Sequence, residues 1–200
     1  MLARRRQLRG YLVNDETGIG YLSPEVSVLR NSVMIALFAA LITAGAYLSI
    51  PIGPVPLVLQ NFFVLLTAAY LGPKKGLACV GLYLFLGILG LPVFAGGTGG
   101  LARLAGPTGG YLVGYLPAVL IIGFLSSDRR IFKVVTGMVT GMFIVYACGV
   151  SWLKLSTNMA WPAAVSAGFI PFIVGDVIKI GAAVALYLLI PPLSPAGTRK

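Results

Sequence analysis

"GFIPFIVGDVIKIGAAVALYLLI", residues 168–190, is an almost wholly apolar run that holds two charged residues, Asp176 and Lys179. Its length suits a helix crossing a hydrocarbon core, which takes about 20 residues. An ionised side chain near the bilayer centre costs about 2.5 to 3.5 kcal/mol on insertion scales, so the two oppose insertion by roughly 5 to 7 kcal/mol if unpaired. Their spacing of three puts them on one helix face, where each partly neutralises the other. Pairing alone does not account for them, because two apolar residues would insert more easily. Three readings stay open. The pair fixes helix packing; or it forms a polar ligand site facing a bundle interior, with Asp176 accepting from N–H donors and Lys179 meeting an acid or carbonyl; or it belongs to a proton or ion relay, for which the chain offers no second intramembrane carboxylate.

The same apolar character extends outward through the chain. Of 200 residues, 58% are hydrophobic and 10% charged, with a mean hydropathy of +0.95. An average soluble domain carries about 25% charged residues, so this balance indicates a membrane protein. Apolar windows of helix length fall at 32–50, 56–71, 75–92, 110–125, 131–153 and 168–190. They predict an all-α integral membrane protein, a bundle of six transmembrane helices. The second window is short and contains Gln60 and Asn61, which suits a tilted helix or one lining a cavity. The short alternating segments of a transmembrane β-barrel do not occur.

Charge sets the expected orientation. Arg4, Arg5, Arg6, Arg9, Arg30, Lys74, Lys75, Arg129, Arg130, Lys133, Arg199 and Lys200 fall on one side of the windows, and Arg103 and Lys154 on the other. By the positive-inside tendency both termini are expected in the cytoplasm, with loops 51–55, 93–109 and 154–167 outside. The net charge of +10 does not indicate nucleic-acid binding, because the cations fall in short clusters between apolar runs. Residues 1–30 read as a polar cytosolic extension or as a start assigned too far upstream; 31–192 read as the membrane domain and 193–200 as a short cytosolic tail. No apolar h-region follows "RRR", so a secretory signal is not expected.

Cys79 and Cys148 lie in apolar windows and there is no histidine, so neither a disulfide framework nor a His/Cys metal site is expected. No G-x-x-x-x-G-K-[ST] occurs, and "GGTGG" (96–100) has neither the spacing nor the setting of a dinucleotide fingerprint. No Ser/His/Asp or Cys/His constellation suggests an enzyme.

The outside loops are more specific. "IPIGPVP" (50–56) is a stiff connection. "PVFAGGTGGLARLAGPTGGY" (92–111) has glycines at 96, 97, 99, 100, 106, 109 and 110, which let backbone approach a ligand closely, or simply make a flexible re-entrant loop. Ala36, Ala40 and Ala44 recur every four residues on one helix face, and Gly137 and Gly141 repeat the pattern later; such faces associate with other helices, inside the bundle or on a partner.

"IGPVPLVLQ" (52–60), "LGPKKG" (71–76), "LGLPVFAGGTGGLARLAGPTGGYLVGY" (89–115) and "PFIVGDVIK" (171–179) together resemble the motifs of the BioY family, in order and over about residues 30–190. That family comprises biotin-specific substrate-binding (S) components of energy-coupling factor (ECF) transporters in prokaryotic plasma membranes. The resemblance implies six helices, cytoplasmic termini, and biotin as transported ligand rather than a cofactor. It also implies partnership with a transmembrane coupling protein, met by the Ala36, Ala40 and Ala44 face, and with two cytosolic ATPases that use the ATP.

Asp176 and Lys179 match the family's G-D-x-x-K motif. The resemblance implies that Asp176 accepts from the ureido N–H groups and that Lys179 meets the acid or carbonyl end. Thr98 takes the middle of G-G-x-G-G, where some members have a ligand-contacting Asn, with Gly97, Gly99 and Gly100 around it. Leu112 stands where some relatives carry Arg. Gln60 and Tyr111 are expected on the wall. Ligand would enter from outside under loops 51–55 and 93–109. The alternatives are a solitary biotin carrier, an S component for another small vitamin, and, least supported, a membrane enzyme.

Overall fold

Pro24 and Glu25 suit a helix start, since proline loses no bond in the first turn and a carboxylate favours the N-terminal end of the dipole. In the computed structural model, which describes residues 24–190 except Arg129, helix α1 is Pro24–Tyr47. Of the expected 1–30 extension, residues 24–30 are therefore helical. The remainder, with Arg4, Arg5, Arg6 and Arg9, lies outside the described residues, as do Arg129 and the 193–200 tail with Arg199 and Lys200. The chain divides into Met1–Met34, whose described part is the first stretch of α1, and Ile35–Lys200, which holds the elements below.

Strands β1 (Ser49–Ile50) and β2 (Leu57–Val58) pair antiparallel, Ser49 with Val58 and Ile50 with Leu57, and so clamp the proline-rich loop at its base. Helix α2 is Gln60–Ile88, interrupted at Gly72 (φ 73°, ψ −178°) before Pro73. Proline removes a helical N–H and disfavours the α region in the residue before it, while glycine takes the positive φ without strain. The interruption reverses the chain. A Cβ at Gly76 would lie 3.5 Å from the Ala68 Cα, whereas residues eight apart in one straight helix are separated by about 12 Å. The element is thus a hairpin of two antiparallel arms, 60–71 and 73–88.

A short helix α3 (Leu101–Ala105) leads into α4 (Gly109–Ser126), which packs against both α2 and α5 (Ile131–Thr157). Small residues make this contact close. A Cβ at Gly123 would meet the Pro73 nitrogen at 2.5 Å, and one at Gly114 the Val145 Cα at 3.2 Å. Gly137 and Gly141 face Ile122 and Leu125 of α4, so this pair serves packing inside the bundle. In the turn joining α4 to α5, the Lys133 ammonium donates to Asp128 and holds its carboxyl below the usual carboxylate range.

Residues 154–167, expected as an outside loop, are largely helical. Helix α5 continues to Thr157 and stops at Asn158, which takes the left-handed conformation (φ 54°) that asparagine tolerates better than most residues. Pro162 then opens α6 (Trp161–Gly168). Phe169 and a 3₁₀ turn (Ile170–Phe172) around Pro171 separate α6 from α7 (Ile173–Leu189). The 168–190 window is therefore not one helix. Asp176 stands in the first turn of α7, where the helix dipole favours a carboxylate.

Among the described residues, five segments are long and apolar enough to cross a membrane: Glu25–Tyr47, Gln60–Ile88, Gly109–Ser126, Ile131–Thr157 and Trp161–Leu189. On α1, Phe38, Ala39, Ile42 and Ala46 are buried, while Ala36, Ala40 and Ala44 are exposed.

Candidate functional site

Phe94 anchors the glycine-rich loop. Its ring lies against Gly87, where a Cβ would fall 2.0 Å from the ring, and meets Tyr83 edge-on at 5.6 Å. Gly96 and Gly97 turn the chain with φ near 70°, so that the Phe94 N–H donates to the Thr98 carbonyl at 2.8 Å. The loop is fastened outward as well: Gly96 N–H donates to Ala46 O at 3.3 Å, Gly100 N–H to Gly87 O at 2.7 Å, and Tyr47 hydroxyl to Pro92 O at 2.7 Å. An apolar plug and several backbone bonds thus fix the loop over the helix ends.

Beneath it is a cavity with an empty volume of about 520 Å³, which includes space open to solvent. Its walls come from every part of the fold near this end. Val55, Pro56 and Val58 belong to the clamped hairpin, Gln60 and Asn61 to the start of α2, and Phe94 and Ala95 to the plug. Arg103 comes from α3, Thr108 from the turn before α4, Tyr111, Leu112 and Tyr115 from α4, Tyr146 from α5 and Phe172 from the 3₁₀ turn. A largely apolar wall with a few polar atoms is the general form of a small-molecule site.

Two of the expected wall residues, Gln60 and Tyr111, are here. Gln60 is 2% exposed; among the described residues its Nε2 makes no hydrogen bond of good geometry, and the Tyr83 hydroxyl lies near its side chain. The Tyr111 hydroxyl donates to Gly168 O at 2.8 Å, tying α4 to the end of α6. Asn61 Oδ1 accepts from the Tyr115 hydroxyl at 2.6 Å.

Asp176 and Lys179 are 4% and 9% exposed, with Lys179 Nζ donating to Asp176 Oδ1 at 2.8 Å. The second carboxylate oxygen accepts from the Tyr146 hydroxyl. Tyr146 lines the cavity, so the ion pair stands one side chain behind the wall rather than on it. Asp176 also borders a second, apolar hollow between α5 and α7, with Met142, Phe143 and Val177. Both oxygens are thus committed to protein donors, which offsets desolvation of the charges.

The loop residues are placed differently. Thr98 Oγ1 donates to Ala95 O at 3.0 Å, and neither Thr98 nor Gly97, Gly99 or Gly100 lines the cavity. Gly97 lies under the Tyr47 ring, and a Cβ at Gly99 would be 2.3 Å from Leu91 O. These residues shape the loop on which Phe94 and Ala95 are carried.

Sequence reasoning missed Tyr146 and Arg103. Tyr146 is one aromatic among many in an apolar window, and only the crossing of α5 and α7 sets it against Asp176. Arg103 counted as an outside loop cation, yet its side chain borders the cavity. Its signal in the sequence is that it is the lone arginine of the glycine-rich motif.

Several helices long and apolar enough to cross a membrane, a plugged cavity between helix ends and a buried charge pair beside it define a multi-pass membrane protein with a small-molecule cavity. The comparisons with known proteins are specific. The BioY family model matches residues 16–196, and the chain belongs to that family. The biotin transporter BioY of Thermotoga maritima is 42% identical over 166 residues, 82% of this chain and 98% of that protein. A probable biotin transporter BioY of Pyrococcus horikoshii is 42% identical over 76% of this chain and 91% of its own length. A 2.1 Å crystal structure of the S-component for biotin from an ECF-type ABC transporter superimposes with a TM-score of 0.76 at 32% identity, covering 83% of this chain and 92% of that one.

Proposed function

We propose that this chain takes up biotin across the prokaryotic plasma membrane, as the substrate-binding subunit of an ECF-type transporter. One observation carries the reading: the family match over residues 16–196 contains every residue of the cavity wall and the buried pair, and curated relatives that match at 42% identity are named biotin transporters. Six membrane crossings follow if each arm of the α2 hairpin spans, and the hairpin tip with Lys74 and Lys75 then faces the cytoplasm with both termini. The excess of cations on that side supports this orientation.

Biotin enters from outside beneath the 51–55 and 93–109 loops, and its apolar ring and chain bury against Val55, Phe94, Leu112 and Phe172. Asp176 receives the ureido N–H groups when the Tyr146 hydroxyl swings away, and Lys179 meets a ligand oxygen. The ureido N–H groups then replace the Tyr146 hydroxyl on a carboxylate that is already desolvated, so its desolvation cost is not incurred again on binding. Thr98, Gly97, Gly99 and Gly100 act by holding the plug, and Gln60 and Tyr111 act from the wall. Release to the cytosol is driven through a coupling protein seated on the exposed Ala36, Ala40 and Ala44 face, with ATP hydrolysed by two cytosolic partners. Titration of the purified chain with labelled biotin and a panel of other vitamins tests the reading; tight binding of another vitamin with none of biotin would overturn it.

A further inference from the structure

The cavity wall contains a cation for which the described residues supply no partner. Arg103 borders the cavity, its Nε is fully enclosed without a hydrogen-bond acceptor, and neither ion pair among the described residues, Lys133 with Asp128 or Lys179 with Asp176, involves it. A guanidinium offers five N–H donors and no acceptor, so the enclosed Nε calls for an acceptor from outside the protein. The remaining described wall residues are neutral: Gln60, Asn61, Thr108 and three tyrosines are the polar ones, and Leu112 beside them is apolar.

The arginine is also rigidly mounted. Helix α3 abuts the start of α4 so closely that a Cβ at Gly109 would fall 1.7 Å from Leu104 O, and Trp152 Nε1 donates to Gly106 O at 2.9 Å. Gly106 N–H in turn closes α3 on Ala102 O at 3.0 Å. A half-buried guanidinium on a fixed mount, with its Nε enclosed and unpaired, offers a fork of donors that matches a planar anion, which it grips through two parallel hydrogen bonds.

We propose that Arg103 is the carboxylate anchor of the ligand site: it holds the acid end of an otherwise apolar ligand and so selects the free acid over its neutral derivatives. This rests on the biotin reading and specifies a residue within it, since biotin carries its one carboxylate at the end of an apolar chain. The test compares biotin with biotin methyl ester on the purified full-length chain, as wild type, Arg103→Gln and Arg103→Lys.

The wild-type chain should prefer the acid by about 10- to 100-fold, the worth of one charge-assisted pair of hydrogen bonds. Arg103→Gln should erase that preference by weakening biotin alone, leaving the ester within about two-fold of wild type, and Arg103→Lys should keep an intermediate preference. Equal weakening of both ligands marks a merely structural arginine and overturns the assignment, as does unchanged biotin binding. Where Arg103→Gln does not fold, the wild-type ratio decides, and equal affinity for acid and ester overturns the proposal. A wild-type chain that binds neither ligand overturns the biotin reading itself and this assignment with it.

Discussion

Substituting Asp176 by asparagine leaves the Lys179 ammonium, 9% exposed, without the carboxylate that sits 2.8 Å away. Breaking a buried ion pair from one side costs about 3 to 5 kcal/mol, because the remaining charge is desolvated and unpaired. The Tyr146 hydroxyl loses a charged acceptor in the same step, a bond worth about 1.5 to 3 kcal/mol that overlaps with the first loss. Removing all three polar groups together, as Asp176→Leu, Lys179→Met and Tyr146→Phe, strands nothing. Such replacements of buried ionic clusters are neutral or stabilising by about 1 to 4 kcal/mol. Thermal unfolding in detergent and labelled-biotin binding, read side by side, should therefore diverge. Asp176→Asn unfolds at lower temperature and binds weakly; the triple variant recovers the wild-type transition and does not bind. A triple variant that binds biotin as the wild type does would refute the ligand role. One no more stable than Asp176→Asn would refute the electrostatic account of the instability.

Gly87→Val should displace the Phe94 plug, since even a Cβ at Gly87 falls 2.0 Å from that ring, and biotin should then dissociate at least about tenfold faster from a chain that still folds; an unchanged off-rate removes the plug from the mechanism. Lys74→Cys, with Cys79 and Cys148 changed to alanine, should react with a membrane-impermeant thiol reagent in inside-out vesicles and not in intact cells, and the opposite pattern rejects the six-span orientation. Ala40→Trp should leave biotin affinity of the isolated chain unchanged and abolish co-purification with the coupling protein and ATP-dependent uptake; wild-type uptake would place the coupling surface elsewhere.

Much of this organisation is legible in the sequence, wherever one energetic term dominates. Insertion into lipid demands long apolar segments, so the windows stand out by composition. A charge inside such a segment is costly enough to single out Asp176 and Lys179. The α2 hairpin is legible too, because "LGPKKG" puts a conformationally free glycine, a helix-breaking proline and two cations together. Less legible is the break at Phe169–Phe172, because Pro171 is its one signal and the residues around it are as apolar as those on either side. The helical character of 154–168 is hidden for a similar reason: its mixed composition suits a loop equally well.

The glycine-rich motif shows how far such reasoning reaches. Its composition indicates close backbone approach, and the structure agrees, but the object approached is the protein itself: Tyr47, Leu91 and the α2 terminus. Composition cannot distinguish a ligand from a neighbouring helix as the thing a glycine makes room for. Class, segment positions and the two anomalous charges were set by local sequence, since hydropathy and helix period act over neighbouring residues. That Tyr146 shields Asp176, that Phe94 packs on Tyr83 and Gly87 to seal the loop and that Arg103 borders the cavity were decided by tertiary packing, because each depends on separate elements meeting at one end of the bundle.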